Sequence, residues 1–151
     1  MHISTAPDFL EAVANHPRVY PFVSCKGCGE IRFGDGWEDC VGIEFGEAGG
    51  FVFHRRAPGA YEVHTLFLPR TAGTLEYAKQ ALDHMFHVEN AEWIGTQVAR
   101  DLPHVKRFAL RSGFTKFHEI ANGWERDSGP VDVELFELTK ERFLGANTCQ
   151  P

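Results

Sequence analysis

The sequence lacks the long apolar runs and the excess of basic residues that would indicate a membrane or a nucleic-acid partner. Apolar stretches such as HTLFLP fall far short of the roughly 18 residues that a spanning helix needs. Fifteen Lys and Arg stand against 21 Asp and Glu, so the net charge of −6 repels polyphosphate and anionic lipid surfaces. We therefore expect neither nucleic acid nor a membrane among its partners.

Signals for export and for domain boundaries are also missing. The amino-terminal stretch MHISTAPDFLEAV has neither the charged start nor the apolar centre of a signal peptide. No internal repeat, low-complexity tract or linker rich in Pro, Gly or Ser interrupts the chain, and its 43% hydrophobic residues are enough for one core. We therefore expect a cytoplasmic protein with a single domain over residues 1–151.

Cysteine is scarce, and its spacing completes no recurrent metal site. Cys25 and Cys28 in CKGC have the gap that lets two thiolates meet one metal ion. No second pair of this kind follows, Cys40 and His54 match no recurrent ligand spacing, and Cys149 lies in a polar tail. We predict no metal site and expect reduced thiols in a loop.

The first half of the chain is predicted to be a helix followed by β structure. Apolar residues recur at helical spacing from Phe9 to Ala14, before HP at 16–17 ends the pattern. Residues 18–40 hold short apolar pieces, YPFVS and EIRF, which predict brief strands and turns rather than a second helix. CVGIEF, FVFHRR and YEVHTLFLP, joined by turns that contain Gly, predict an antiparallel meander.

The second half alternates between helices and strands. Residues 74–87 carry apolar side chains on one helical face, and 91–99 alternate as in a strand. Asp101 is predicted to cap a helix that contains Pro103 near its start and ends at Gly113. FTKFHEI and VDVELFELTKERF predict two further strands, the second passing into a carboxy-terminal turn.

This order of elements predicts an α/β (α+β) fold with a mixed, mostly antiparallel sheet flanked by helices. A helix of crossover length joins strands 61–69 and 91–98, so these two strands are expected to be parallel. The strand 61–69 leads through a turn with Arg70 and Gly73 into a helix. Such a junction collects unpaired amides and the positive end of the helix, which suits a pyrophosphate.

The layout resembles the GNAT acyltransferase superfamily. The resemblance rests on YEVHTLFLP, RTAGTL and a helix, followed by a helix ending in RFALRSGF before another strand. It covers roughly residues 40–140 and is strongest over 61–86 and 105–114. More narrowly, the EVH strand, the Pro, the Gly turn and the helix ending in Met-Phe are similar to uncharacterised GNAT-like proteins encoded by bacteriophages.

The resemblance implies a GNAT-like sheet with one parallel strand pair whose ends diverge, and acetyl-CoA as the cofactor. It implies that the pantetheine arm of acetyl-CoA pairs with the backbone of Leu66, Phe67 and Leu68. It also implies that the pyrophosphate binds the turn and helix start, formed by Arg70, Thr71, Ala72, Gly73, Thr74 and Leu75.

The phosphate loop departs from the pattern of the family. That pattern asks for Gln or Arg, two residues, Gly, one residue, and then Gly or Ala. Arg70 and Gly73 meet the first two demands, while Leu75 fails the third. A Cβ at this place blocks the approach of a phosphate to the amides.

A second alignment leads to the same conclusion. If Pro69 matches the usual proline of the family, Ala72 takes the basic position and Gly73 becomes an earlier glycine. Leu75 and Tyr77 then stand where small residues belong. Loss of one or two charge-assisted hydrogen bonds at about 1.5–3 kcal/mol each predicts binding of acetyl-CoA weakened at least tenfold.

The second signature of the family is also incomplete. The family places an Asn before the helix that ends in GF and a Tyr four residues before that Gly, where the Tyr acts as general acid. These positions are Leu102 and Ala109 here. Loss of a positioned acid costs about 10²–10⁴ in rate, although solvent can protonate a departing CoA thiolate.

A general base is expected on strand 61–69. Glu62 and His64 share one face of this strand because side chains alternate with a period of two. Partial burial beside apolar neighbours would tune either group towards neutrality, as a base requires. Glu62 and His64 are therefore the candidate catalytic residues.

The sequence is compatible with two functions. The first is an N-acyltransferase that moves an acetyl group from acetyl-CoA to an amine substrate. The alternative is a catalytically degenerate GNAT-like phage protein that has a protein partner, either in the virion, as a structural or assembly protein, or in the host. It would then be found in the host cytoplasm or in the virion. The alternative is motivated by Leu75, by Ala109 and by the Trp-bearing turns GDGW and NGW.

Overall fold

The computed structural model describes residues 1–148, so the predicted position of Cys149 in a polar tail lies outside the described residues. The strands are β1 (His2–Ser4), β2 (Cys40–Phe45), β3 (Gly49–Ala57), β4 (Ala60–Phe67), β5 (Trp93–Ala99), β6 (Thr115–Arg126) and β7 (Gly129–Thr139). The helices are α1 (Asp8–Ala14), α2 (Tyr20–Val23), α3 (Thr74–His87), α4 (Pro103–Arg111) and α5 (Lys140–Thr148), with a 3₁₀ helix over Gly34–Asp39.

The strands form one mixed sheet in the order β1-β2-β3-β4-β5-β7-β6. Pairing is antiparallel throughout except between β4 and β5, which run parallel because α3 crosses over between them. The predicted fold class, with its single parallel pair, is therefore confirmed.

The predicted meander corresponds to β2, β3 and β4. Tight turns between these strands are possible because glycine adopts positive φ without steric cost, as at Gly46 (φ 58°) and Gly59 (φ 72°). Gly49 is required for a further reason, since a Cβ there would lie 2.0 Å from the carbonyl oxygen of Leu66. The meander brings β4 to the middle of the sheet.

Helices cover the two faces of the sheet unequally. The larger core lies between the sheet and α3, α4 and α5, where Phe53, Phe86 and Phe136 are almost fully buried. The smaller core lies on the opposite face, where α1 packs Leu10 against Val52 of β3 and other buried residues. The two cores place α1 and α3 on opposite sides of β4.

Helix α3 has the bounds that periodicity predicts. Its buried residues are Ala78, Ala81, Leu82, Met85 and Phe86, all on one face. Gly73 precedes the helix with φ 78°, a left-handed conformation that ends the preceding turn. The start of α3 therefore lies directly after β4 and its turn.

The predicted strands within residues 18–40 are wrong. This segment forms α2 and the 3₁₀ helix, and side chains take the place of a strand partner: Asn15 bonds both the N–H and the carbonyl of Ile31 at 2.8 Å. The hydroxyl of Tyr20 donates to the carbonyls of Cys28 and Gly29. Local side chain to backbone bonds outweigh the short apolar pieces here.

Three smaller predictions also need correction. Cys25 and Cys28 form a disulfide rather than remaining reduced thiols. Asp101 does not cap α4, because Leu102 occupies the cap position without a side-chain bond and Asp101 pairs with Arg126 instead. Residues after Thr139 form α5 rather than a turn, and β1 was not predicted.

No helix within residues 1–148 is both long enough and apolar enough to cross a membrane.

Candidate functional site

The parallel strands β4 and β5 pair over only three residue pairs and then separate. The last pair is Glu62 with Gly95, and one residue further the hydroxyl of Thr96 donates to the carbonyl of Val63 at 3.2 Å. Beyond this bond the two strands diverge, although each continues for several residues. The predicted V-shaped gap between these strands is confirmed.

The gap opens into a cleft of about 580 Å³. Its walls are β4, β5, the first turns of α4 and residues 18–23, which follow α1. Pro69 and Thr74 lie at one end of the cleft, so the turn before α3 is part of the wall. Leu75, which was predicted to obstruct a phosphate, is not among the residues that line it.

The turn and the first turn of α3 carry amides without partners. Within the described chain, the main-chain N–H groups of residues 70–76 donate no hydrogen bond, and the first helical bond is from Tyr77 to the carbonyl of Gly73. Arg70 has φ 63° and Gly73 has φ 78°, so the chain turns sharply at both residues. The predicted phosphate residues, Arg70 to Leu75, are thus brought together as a run of free donors.

The backbone of β4 supplies fewer free groups than predicted. The N–H of Leu68 donates to Ala48 at 2.8 Å, and its carbonyl accepts from the hydroxyl of Thr71 at 2.7 Å, so both main-chain groups of Leu68 are already hydrogen-bonded. Main-chain groups alternate sides along an antiparallel ladder, so those of Leu66 also point towards β3. Of the three predicted residues, only Phe67 turns its N–H and carbonyl towards the gap.

The candidate base residues lie side by side, as their spacing predicts. His64 lines the cleft with 42% of its side chain exposed, and its Nε2 is 3.6 Å from Oε1 of Glu62. Glu62 stays out of the cleft wall, 18% exposed, and its other oxygen accepts from the guanidinium of Arg56 at 3.3 Å. Glu62 is therefore separated from the cleft by His64.

The surroundings of His64 favour its neutral form. Desolvation by the cleft wall lowers the pKa of His64, the charges of Arg56 and His54 lower it further, and the carboxylate of Glu62 opposes them. Because the pKa of His64 lies below its ordinary value of 6.5, the imidazole is neutral at pH 7 and free to accept a proton.

A smaller cavity of about 190 Å³ lies on the other side of His64. It is lined in part by Cys40 and His54, which are directly opposite each other on β2 and β3. Burial raises the pKa of the Cys40 thiol, which keeps it protonated and weakly nucleophilic. The cavity adds no activated nucleophile to the cleft.

Helix α4 presents a different set of side chains from the family signature. Ala109 is 6% exposed and lines a separate cavity of about 40 Å³, whereas His104, Val105 and Phe108 line the cleft. The ring of His104 packs edge-on against Phe22 of α2, with centroids 5.8 Å apart. No group that could donate a proton stands at position 109.

Sequence reasoning missed several residues of the cleft wall. Arg18, Gln97, His104 and Trp124 all line it. Arg18 lies in the segment that was predicted as strands, so nothing in that prediction directed it to the site. His104 follows Pro103 at the start of a helix, a position from which its exposure could have been predicted. Trp124 is brought to the cleft only by tertiary contacts.

Within residues 1–148 no group of three or more His, Cys, Asp or Glu is placed to hold a metal ion.

No family model and no curated protein matches the sequence, while solved structures do. Spermidine N-acetyltransferase SpeG of Vibrio cholerae, in complex with CoA and spermine, is similar with TM-score 0.72 and 15% identity, over 95% of this chain and 96% of that one. The chain has the GNAT acetyltransferase fold. A GNAT-family acetyltransferase from Bacillus anthracis is similar with TM-score 0.58 and 18% identity, over 68% and 67% of the two chains.

A variant of the V. cholerae SpeG agrees over nearly the whole length, with TM-score 0.72 and 12% identity, covering 97% of this chain and 98% of that chain. The GNAT fold therefore extends across α1 and α2, outside the region where the sequence resemblance was found. Identities this low establish the fold and leave the activity to the arrangement of the cleft.

Proposed function

We propose that this chain is an N-acyltransferase that transfers an acetyl group from acetyl-CoA to an amine. The observation that carries the proposal is the run of free amides over residues 70–76, placed at the end of the gap between β4 and β5. Free donors at a helix start fit a pyrophosphate, and a strand edge without a partner fits the amides of a pantetheine arm.

The residues present fit acetyl-CoA at the end of β4 and in the turn before α3. Arg70, Thr71, Ala72, Gly73, Thr74 and Leu75 would hold the pyrophosphate through their N–H groups, with the positive end of α3 behind them. The backbone of Phe67 would hold the pantetheine arm. The side chain of Leu75 does not line the cleft. The affinity for acetyl-CoA, which the loop pattern predicts to be weak, would therefore depend on the amides alone.

The chemistry divides between the cofactor and His64. When bound, acetyl-CoA supplies a thioester carbonyl that an amine can attack directly, without an acyl-enzyme. His64, neutral and on the cleft wall, accepts the proton that the amine loses. Glu62 stabilises the imidazolium that forms, 3.6 Å from its Nε2. The N–H of Phe67 would donate to the thioester oxygen that gains charge, which leaves the carbonyl of Phe67 for the pantetheine arm.

The experiment combines titration and turnover. Isothermal titration with acetyl-CoA should show binding, and an assay of thiol release with a panel of amines should show transfer. Gly73→Ala should weaken acetyl-CoA binding about tenfold, because it strains the left-handed residue that aims the amides. Gly129→Ala is the matched control, since Gly129 also has positive φ but is the first residue of β7. No heat at millimolar acetyl-CoA would overturn the proposal.

One observation favours a second candidate function. Ala109 leaves the family's position for a general acid without a donor, as expected for a GNAT fold that has lost turnover. In that case the chain would be a phage protein, similar to the phage-encoded GNAT-like proteins, that acts in the virion or on a host protein. Its presence at fixed stoichiometry in purified particles would support this candidate. Acetyl transfer by the purified chain would contradict it. The proposed location under the first function is the cytoplasm.

A further inference from the structure

The cleft wall is positively charged and holds no carboxylate. Among the described residues that line it, Arg18 is the only one with a permanent charge, and none is Asp or Glu. No ion pair within residues 1–148 includes Arg18. An exposed guanidinium without a counter-charge is available to a ligand.

The carboxylate beside His64 does not change this balance. Glu62 lies behind His64, and its charge is already paired with Arg56 at 3.2 Å. A polycation in the cleft would therefore meet the guanidinium of Arg18 and no carboxylate among the described lining residues. The wall is chemically unsuited to an acceptor with several positive charges.

Arg18 and the proposed phosphate site belong to different elements of the cleft wall. It follows α1, which packs on the face of the sheet opposite α3. The free amides belong to the turn before α3, at the end marked by Pro69 and Thr74. Arg18 therefore belongs to the side of the cleft left for the acceptor.

The acceptor side is otherwise mostly apolar. Phe22 is 45% exposed although it belongs to a helix, and Val23 and the ring of Trp124 line the same wall. The indole N–H of Trp124 already donates to the carbonyl of Ser24 at 2.9 Å, so the indole offers a ligand only its apolar surface. Gln97 on β5 adds one polar side chain.

We propose that the acceptor is an apolar amino acid or a closely related amino-carboxylate. Arg18 would bind its carboxylate, Phe22 and Trp124 would contact its apolar side chain, and its amine would face His64. This inference rests on the proposed function. In the transfer, a bond forms between the amine nitrogen and the acetyl carbon, the carbon–sulfur bond breaks, the nitrogen proton goes to His64, and the electron pair leaves on sulfur.

Direct binding tests the inference without requiring turnover. Saturation-transfer NMR and titration would compare phenylalanine, phenethylamine and spermine, each with and without CoA. Phenylalanine should bind most tightly. Arg18→Gln should weaken the binding of phenylalanine about tenfold or more, which corresponds to one charge-assisted bond, and should leave phenethylamine unchanged. Arg107→Gln is the matched control, because Arg107 is exposed on α4, forms no ion pair within the described chain and does not line the cleft.

The outcomes separate this inference from the proposed function. The inference is overturned if phenylalanine does not bind at about 10 mM, a concentration above the millimolar range of weak ligand affinities. Tighter binding of spermine, or equal loss of phenylalanine and phenethylamine in Arg18→Gln, also overturns it. Loss of acetyl-CoA binding alone would instead remove the proposed function. With transfer active, Arg18→Gln should raise KM for phenylalanine and leave KM for acetyl-CoA unchanged.

Discussion

His64 combines access to the cleft with a carboxylate on its far side. Its ring lines the cleft, Oε1 of Glu62 is 3.6 Å from Nε2, and desolvation lowers its pKa. A base must be unprotonated before the reaction and hold the proton after it. The neutral ring meets the first condition, and the nearby carboxylate meets the second.

Replacing His64 should remove most of the activity and leave the cofactor site intact. His64→Gln keeps a polar side chain but cannot take up a proton, so kcat should fall by about 10²–10⁴. The affinity for acetyl-CoA, measured by titration, should not change, because His64 lies outside residues 70–76. His118→Gln, an exposed position on β6, is the matched control and should retain full activity. An unchanged kcat in His64→Gln would exclude the base role.

Glu62 should control the pH profile rather than the chemistry itself. Its carboxylate raises the pKa of His64 against the larger effect of desolvation, so Glu62→Gln should lower that pKa further. The acid limb of kcat/KM should lie below pH 6.5 in the wild type, and it should move to lower pH in Glu62→Gln. Glu141→Gln, at an exposed position on α5 that does not line the cleft, is the control. Complete loss of activity at every pH would instead identify Glu62 as the base.

At the scale of elements, Arg126 ties α2 to the rest of the cleft wall. Its guanidinium pairs with Asp101 at 3.1 Å and donates to the carbonyls of Pro21 and Ser24, and it lies 5.0 Å from the ring centre of Trp124. These contacts join residues that are about a hundred positions apart in sequence. The acceptor side of the cleft depends on them for its shape.

Arg126→Lys should therefore loosen this wall. Lysine keeps the charge but loses the forked geometry, and we expect unfolding free energy to fall by roughly 2–3 kcal/mol in urea titration. Hydrogen exchange should increase in Tyr20–Val23 more than in Thr74–His87. Arg32→Lys is the control, because the Arg32–Glu30 pair is highly exposed and contributes little. Equal exchange in both helices would show that Arg126 has no local role.

Strand β7 carries a buried carboxylate that should make stability depend on pH. Glu134 is 3% exposed, and Lys106 of α4 donates to Oε1 at 3.1 Å, with Lys116 and Arg100 within 4.0 Å of the carboxylate. The hydrogen bond from Lys106 lowers the pKa of Glu134 below 4.5. Its stabilisation is therefore present above that value and lost as pH falls through the lower, folded-state pKa.

Glu134→Gln should accordingly destabilise the protein only when the carboxylate is ionised. We expect a loss of roughly 1–3 kcal/mol at pH 7 by urea unfolding, moderated by the partial exposure of both lysines. The difference from wild type should shrink as pH is taken below 4.5. Glu141→Gln, exposed on α5, should show no such dependence. A difference that stays constant with pH would assign the effect to packing.

Elements with strong periodicity were predictable, and elements fixed by particular side chains were not. Helix α3 and the meander follow from spacing, since their apolar faces repeat regularly. Residues 18–40 failed because Asn15 and Tyr20 satisfy the backbone there through side chains. The position of the turn before α3 was predictable from the sequence. The free amides, the bonded Leu68 and the exposed Arg18 depend on tertiary contacts that no sequence pattern records.

At the scale of the whole molecule, the proposed function would divide between the two faces of the sheet. Helix α3 and the free amides belong to one face, and α1 with Arg18 belongs to the other. The gap between β4 and β5 is the place where the two faces meet, and His64 lines it. A donor and an acceptor could thus approach from opposite faces and react beside His64.

Acetyl-CoA binding should stabilise the entire fold. A ligand that binds only the folded state adds about 2.7 kcal/mol at a concentration of 100 times Kd, which is roughly 5–10 °C in Tm for a domain of this size. Differential scanning fluorimetry with acetyl-CoA should show this rise. Gly73→Ala should show a smaller rise at the same concentration, whereas Gly129→Ala should match the wild type after each variant is compared with its own ligand-free Tm. The same rise in both glycine variants would place the cofactor away from the turn before α3.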